Sequence, residues 1–269
     1  MRPASDRPQT PIMDVLACIK RVPETGAKIT LTDDQQAIDT TNLGFTMSPH
    51  EECAIEEAVQ LAEDGDGTAT VLTLGPDEAA EQLRTGIAMN ADEAVLLETD
   101  GAEWSPIPTA AEIADAVRDA EEDGAFDLLL FGNESADMAN HQVGVRVAND
   151  LDRPCITGIK DLTAEDGRVV AKREVAGGAE VYELDTPAVC TVKEGLNEPR
   201  YPSMRSRMQA RKQSVDRRSP GRDPSGGLEK VRLEAPEEDE GAAEILGEGA
   251  DPATVDAVID LLRDDVGVL

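Results

Sequence analysis

The stretch "GNESADMANHQVG", residues 132–144, has the composition of a ligand-holding loop. Gly132 closes an apolar run. Asn133, Glu134, Ser135, Ala136, Asp137, Met138, Ala139, Asn140, His141 and Gln142 then lead, small and polar, to Val143 and an amphipathic pattern. The first N–H groups of a helix lack intrahelical acceptors and carry the positive end of its dipole, so such a loop can hold a phosphate without a basic side chain. An ordinary capped strand-to-helix loop carries the same local pattern. Two further points suit the same ligand: Ser48, Pro49, His50 and Glu51 at the mouth of another predicted helix, and Gly75 after "VLTL". If their strands are neighbours, all three meet in one crevice sized for an adenine nucleotide.

The second unusual stretch is "VKEGLNEPRYPSMRSRMQARK", residues 192–212. Between Arg200 and Arg222 stand eight basic residues and one acid, Asp216, in a chain with 25 Lys+Arg against 56 Asp+Glu. Pro199 and Pro202 bracket Arg200 and Tyr201 and hold the backbone extended, so a helix can begin only near Ser203, as a short basic one. Tyr201 and Met204 displayed beside Arg205 and Arg207 have the make-up of a protein-docking element, an apolar anchor in a polar ring. A solvated basic loop would look similar. An RNA contact is poorly served by a single Tyr.

No catalytic template accompanies these stretches. There is no Gly-x-Ser-x-Gly elbow, no Walker loop and no His-Glu-x-x-His, and "IKRVPETGAK", with Arg21 and Lys28, stands where a glycine fingerprint would follow the first strand. His50 and His141 lack the neighbours of a metal site and read as surface residues near helix starts. The four cysteines are too widely spaced for zinc or redox pairs, which predicts buried free thiols in a reducing cytosol. The chain reads as a binder rather than a catalyst.

The elements that must position these residues alternate. Apolar runs at 14–20, 68–74, 93–98, 126–131 and 155–159 are separated by helical periods at 49–63, 76–89, 108–122 and 138–151. This predicts an α/β fold with a doubly wound, mostly parallel sheet. Residues 168–175 and 179–185, joined at Gly177-Gly178, predict an antiparallel hairpin on the sheet's edge, followed by a strand at 187–192. The expected organisation is a flexible extension over 1–12, a nucleotide-binding domain over 13–218 and, over 219–269, an acidic arm ending in a helix capped by Asp251-Pro252 that docks on this domain or another chain. Met13, directly before the first strand, is a candidate start.

The net charge of −31 excludes general affinity for nucleic acid or anionic membranes, and acids spread along most of the chain with only seven Lys make a salt-adapted composition. No window approaches the roughly 18 apolar residues of a membrane span, and the N-terminus lacks a signal peptide's apolar core, which predicts a soluble cytoplasmic protein.

"VKEGLNEPRY", with "VLACIKRVP", "SPHEECAIEEAVQL", "TLGPDEAAEQLRTGIAMNADEAVLL" and "LLLFGNESADMANHQVG", resembles the β subunit of electron transfer flavoproteins over nearly the whole chain after Met13. The resemblance implies an αβ heterodimer that carries electrons from acyl-CoA and other dehydrogenases, as in fatty acid oxidation, to a membrane quinone oxidoreductase, with FAD mostly on the α subunit and a buried AMP on the β subunit. It puts AMP contacts at Cys18, Ser48 to Glu51, Leu74 and Gly132 to Val143, and a recognition loop at Glu194 to Arg207, including Asn197, Pro199, Arg200 and Tyr201, with Met204 as its apolar anchor. Thr25 matches a position near the flavin. The chain departs from the family pattern at Ser48-Pro49-His50, where Asn-Pro and an apolar residue are usual, and at Asp137, which stands for the usual acidic cluster.

Three alternatives stand beside it. A bifurcating variant binds a second FAD in place of AMP. A stress-protein-like nucleotide sensor shares the sheet but has no use for residues 192–212. A nucleotide α-hydrolase needs a glycine-rich loop after the first strand, where "IKRVPETG" does not supply one.

Overall fold

The computed structural model describes residues 11–24, 26, 28–121, 124, 126–165, 167–226, 230–236, 245–247, 249 and 251–268. The chain divides into two compact units, Met1–Val231 and Arg232–Leu269.

The first unit contains, in order, β1 (Val15–Cys18), the short β2 (Val22–Pro23) and β3 (Phe45–Thr46), α1 (Pro49–Gly65), β4 (Ala69–Gly75), α2 (Ala80–Ala88), β5 (Glu93–Glu98), α3 (Pro106–Glu121), β6 (Leu128–Gly132), α4 (Val143–Asp150), β7 (Cys155–Ile159), β8 (Asp161–Glu165), β9 (Arg168–Val175), β10 (Gly178–Asp185), β11 (Ala188–Val192), α5 (Met204–Ala210) and β12 (Asp216–Arg218). Seven strands form one sheet in the order β12-β5-β4-β1-β6-β11-β7, every neighbouring pair parallel.

The continuous apolar runs have a simple cause, since both faces of the sheet are covered. Leu128 and Leu130 pack with Val15, Ala17, Ile55, Val59 and Leu83 on the side of α1 and α2. Leu129 and Phe131 pack with Leu16, Leu72, Ile113, Val117 and Val147 on the side of α3 and α4. Each fully buried leucine contributes about 2 kcal/mol by leaving water.

The sheet runs outward from β1 through β4 to β5, then returns to continue on β1's other side with β6. That reversal makes the gap between the carboxyl ends of β1 and β6 the topological switch point, where open α/β sheets hold ligands. Ser48 caps α1 directly above it; the Glu51 carboxylate reaches back to Ser48 N at 2.8 Å and accepts from Ser48 Oγ at 3.0 Å.

Four expectations need correction. The helix expected from Met138 begins at Val143, because Ala139 and His141 adopt left-handed φ values of 47° and 53° that no helix accommodates. The 168–185 hairpin is not an edge of the large sheet: with β8 it forms its own three-stranded antiparallel sheet, β10-β9-β8. No strand was expected within the basic segment, yet residues 216–218 pair with β5 as the outermost strand. Cys155 is half-buried, whereas Cys18, Cys53 and Cys190 are buried; all four are free.

The second unit holds α6 (Pro252–Asp260), its start capped by Asp251, whose Oδ1 accepts from Ala253 N at 3.1 Å and Thr254 N at 3.2 Å. A π-helical turn, Leu261–Asp265, continues it.

Candidate functional site

Glu51 lies at the centre of the switch point. It is 4% exposed, its Cγ would sit 2.8 Å from a Cβ added at Gly132, and its carboxylate accepts from Ser48. Burial pushes its pKa up to about 7 against the smaller opposing effects of Ser48 and Lys20. Cys18, at the end of β1, is buried; burial and, second, the charge of Glu51 push its thiol far up, so it is an inert wall. Lys20, just past β1, spans to the β6 loop and binds Asp137 at 2.6 Å.

The loop between Gly132 and Val143 is fastened at several points. Glu134 receives His141 Nε2 at 2.8 Å and faces His50 Nε2 at 3.7 Å. Asn133 N donates to Val192 O at 2.9 Å, its Oδ1 accepts from Thr191 Oγ1 at 2.9 Å, and its Nδ2 contacts His141 Nδ1 at 3.0 Å. With Ala139 N donating to Ser135 O at 3.0 Å, these contacts hold Ala139 and His141 in a backbone conformation that costs about 1 kcal/mol or more at each residue. At the loop's end Gln142 turns its side chain to Arg146 and leaves α4 without a side-chain cap, so the helix opens with unclaimed first-turn N–H groups.

The docking candidate lies along α1. Asn197 Nδ2 donates to Glu57 at 2.8 Å and to Cys53 O at 3.1 Å. Arg200 grips Glu56 at 2.9 Å and Glu63 at 2.8 Å. Burial alone would raise Glu56, but hydrogen bonds from Arg200 and Gln60 hold it below the usual carboxylate range. Beyond this clamp Pro202 and Ala210 are buried, and Ser203 caps α5 by accepting from Ser206 N at 3.1 Å. On either side of Pro202 the chain turns outward. Tyr201 is 87% exposed and Met204 77%, with Arg207 stacked 5.0 Å above the Tyr201 ring.

The family model described as "Electron transfer flavoprotein domain" matches residues 36–221. The chain belongs to the electron transfer flavoprotein family. It is 36% identical to "Electron transfer flavoprotein subunit beta" of Bacillus subtilis (strain 168) over 204 residues, covering 76% of this chain and 78% of that protein. Proteins of the same name from Bradyrhizobium diazoefficiens, 34% identical with 76% and 80% covered, and Megasphaera elsdenii, 32% identical with 76% and 77% covered, are also similar.

Of the crevice residues named from sequence, Pro49, Ala136, Met138, Ala139, Asn140 and Gln142 are exposed and Ser135 and Val143 half-buried, while two sets stand out by their contacts. Ser48, His50, Glu51, Gly132, Asn133, Glu134, Asp137 and His141 form one connected set with Lys20. Cys18 and Leu74 contribute from the strand ends, on the face toward α3 and α4. The two histidines, read as surface residues near helix starts, share one carboxylate, that of Glu134. Thr25 lies outside the described residues.

Lys20 and the carboxylates at 56, 57 and 63 escaped the sequence reading. A lysine closing a strand and glutamates on a helix are ordinary features, and only strand order and the course of residues 194–200 reveal their partners. A cleft of about 370 Å³ beside the loop, lined by Asn133, His141, Thr157, Arg173, Thr191 and Lys193, was also not foreseen. Another, of about 380 Å³, sits among Glu63, Asp66, Asn90 and Asp92 at the amino ends of β4 and β5, the wrong edge of the sheet for a nucleotide. No metal-binding cluster occurs among the described residues, and no helix among them is long and apolar enough to cross a membrane.

Proposed function

We propose that this chain is the β subunit of a cytoplasmic electron transfer flavoprotein. It pairs with an α subunit, binds AMP at the switch point, helps bind FAD, and carries electrons from acyl-CoA and other dehydrogenases to a membrane quinone oxidoreductase. The observation that carries this reading is the convergence of Ser48–Glu51, Lys20 and the uncapped opening of α4 at the β1/β6 switch point in a chain of this family.

That donor set suits a nucleotide monophosphate: first-turn N–H groups for the phosphate oxygens, a lysine within reach, and the small residues Ser135 and Ala136 where the chain must pass close to a base or ribose. FAD, when bound, supplies the redox chemistry. The residues of this chain fix the crevice, shield it from water and present Tyr201 and Met204 to the donor, while the last helix docks on the partner subunit.

The test is co-purification with an untagged α partner followed by nucleotide extraction. A yellow heterodimer with one FAD and one AMP is expected. Two FAD would support the bifurcating variant, and a colourless homodimer would overturn the proposal. Gly132→Val should release AMP, because the added Cβ meets Glu51 Cγ at 2.8 Å and the pinned start of α1 cannot yield. Full AMP retention in that variant would show the crevice to be misplaced.

A further inference from the structure

We propose that His50 is a positioning residue that joins the nucleotide loop to the docking segment, so that the state of the crevice sets how residues 194–200 lie along α1; this rests on the function proposed above for both regions. His50 Nδ1 accepts from Glu194 N at 2.7 Å. A neutral ring that accepts at Nδ1 carries its proton on Nε2, and that edge faces Glu134 Oε1 at 3.7 Å. The other oxygen of Glu134 holds His141 at 2.8 Å, so one carboxylate lies between the two imidazoles and ties the loop to the first turn of α1.

There is little slack on the crevice side. A Cβ on Gly132 would lie 3.4 Å from His50 Cβ. On the docking side His50 is the first of a row of attachments along one helix. Cys53 and Glu57 hold Asn197, and Glu56 and Glu63 hold Arg200. Residues 50, 53 and 57 follow the three-and-four spacing of one helical face, so the segment runs alongside α1 in the same direction. The later attachments, amide hydrogen bonds from Asn197 and ion pairs from Arg200, join the segment to α1. The first is the point where the loop and the segment share a side chain.

The test is hydrogen exchange of the peptide spanning 194–201 in the purified complex with its α partner, comparing parent, His50→Ala and His50→Asn. Asn places an acceptor close to the position of Nδ1. Loss of this one hydrogen bond should raise exchange in His50→Ala about fivefold, and His50→Asn should restore it toward the parent. The KM for the reduced donor dehydrogenase should rise and recover in the same order. Removing AMP from the parent should loosen the same peptide and add nothing in His50→Ala. The proposal is overturned if His50→Ala exchanges as the parent does, if His50→Asn is as loose as His50→Ala, or if AMP removal acts equally in both backgrounds. A complex with no extractable AMP would defeat the nucleotide part of the proposed function, and the Ala and Asn comparison would still decide the role of His50.

Discussion

Glu51 and Glu56 lie five residues apart on one helix and are buried alike, 4% and 3% exposed, yet their acidities move in opposite directions. Glu51 has hydrogen bonds from Ser48 and from the Lys20 backbone, with the Lys20 charge further off, yet burial wins and its pKa climbs to about 7. Burial also pushes Glu56 up, but it holds the Arg200 guanidinium, and the partner wins. The difference separates two kinds of site. Among the described residues Glu51 has no cation in direct contact, whereas Glu56 and Glu63 are already committed to Arg200.

The basic segment divides in the same way. Arg200, Arg217, Arg218 and Arg222 all grip carboxylates of their own chain. Among the described residues Arg205, Arg211 and Lys212 form no ion pair, and Arg207 lies over Tyr201. Part of the positive charge is therefore a fastening, and what remains surrounds the exposed tip.

The largest effect would break the comparison altogether. With a net charge of −31, we expect global unfolding when KCl is diluted from molar to ~0.1 M, as the Debye length grows from ~3 Å to ~10 Å and self-repulsion regains its range. Circular dichroism that stays native through the dilution would contradict it. In high salt, Arg200→Ala should cost about 3–5 kcal/mol, because it leaves Glu56 buried without its cation, while Arg205→Ala should stay within about 0.5 kcal/mol. Denaturant midpoints for the two variants measure the contrast, and equal midpoints would erase it.

Next comes Glu51. A carboxyl whose folded pKa is raised stabilises the fold below its unfolded value and loses that contribution as pH rises through the folded one. From 4.5 to about 7 the loss approaches about 3 kcal/mol. Glu51→Gln cannot ionise, so its stability relative to the parent should rise between about pH 5 and pH 8. A pH-independent difference would mean that Glu51 stays charged throughout.

The strands were legible wherever both faces are buried. "EAVLLE" and "CITGI" match β5 and β7 residue for residue, since continuous apolar runs have few other uses in a chain this polar. The capping signals at Ser48 and Asp251 were equally direct. What escaped was set by tertiary contact. The sheet order puts β11 between β6 and β7, β12 is an arginine-rich edge strand, and the helix after the loop starts late because Glu134 and Asn133 hold His141 in a left-handed turn. The loop at 132–143 and the helix mouth at Ser48 stood out in the sequence, but the contacts that tie them together did not, because Lys20 and Asp137 lie 117 residues apart.

On the function proposed above, the base of residues 194–210 holds and its tip docks. The direct measurement is electron transfer from a reduced acyl-CoA dehydrogenase to the flavin of the complex carrying Met204→Ala. Met204 is 77% exposed, so its truncation should spare stability and flavin content. As an apolar anchor it should cost about 1.4 kcal/mol or more of donor recognition, a rate at least about tenfold slower, with chemical reduction of the flavin unchanged. Transfer at the parental rate, or loss of flavin from the variant, would contradict the claim and make the segment a structural arm.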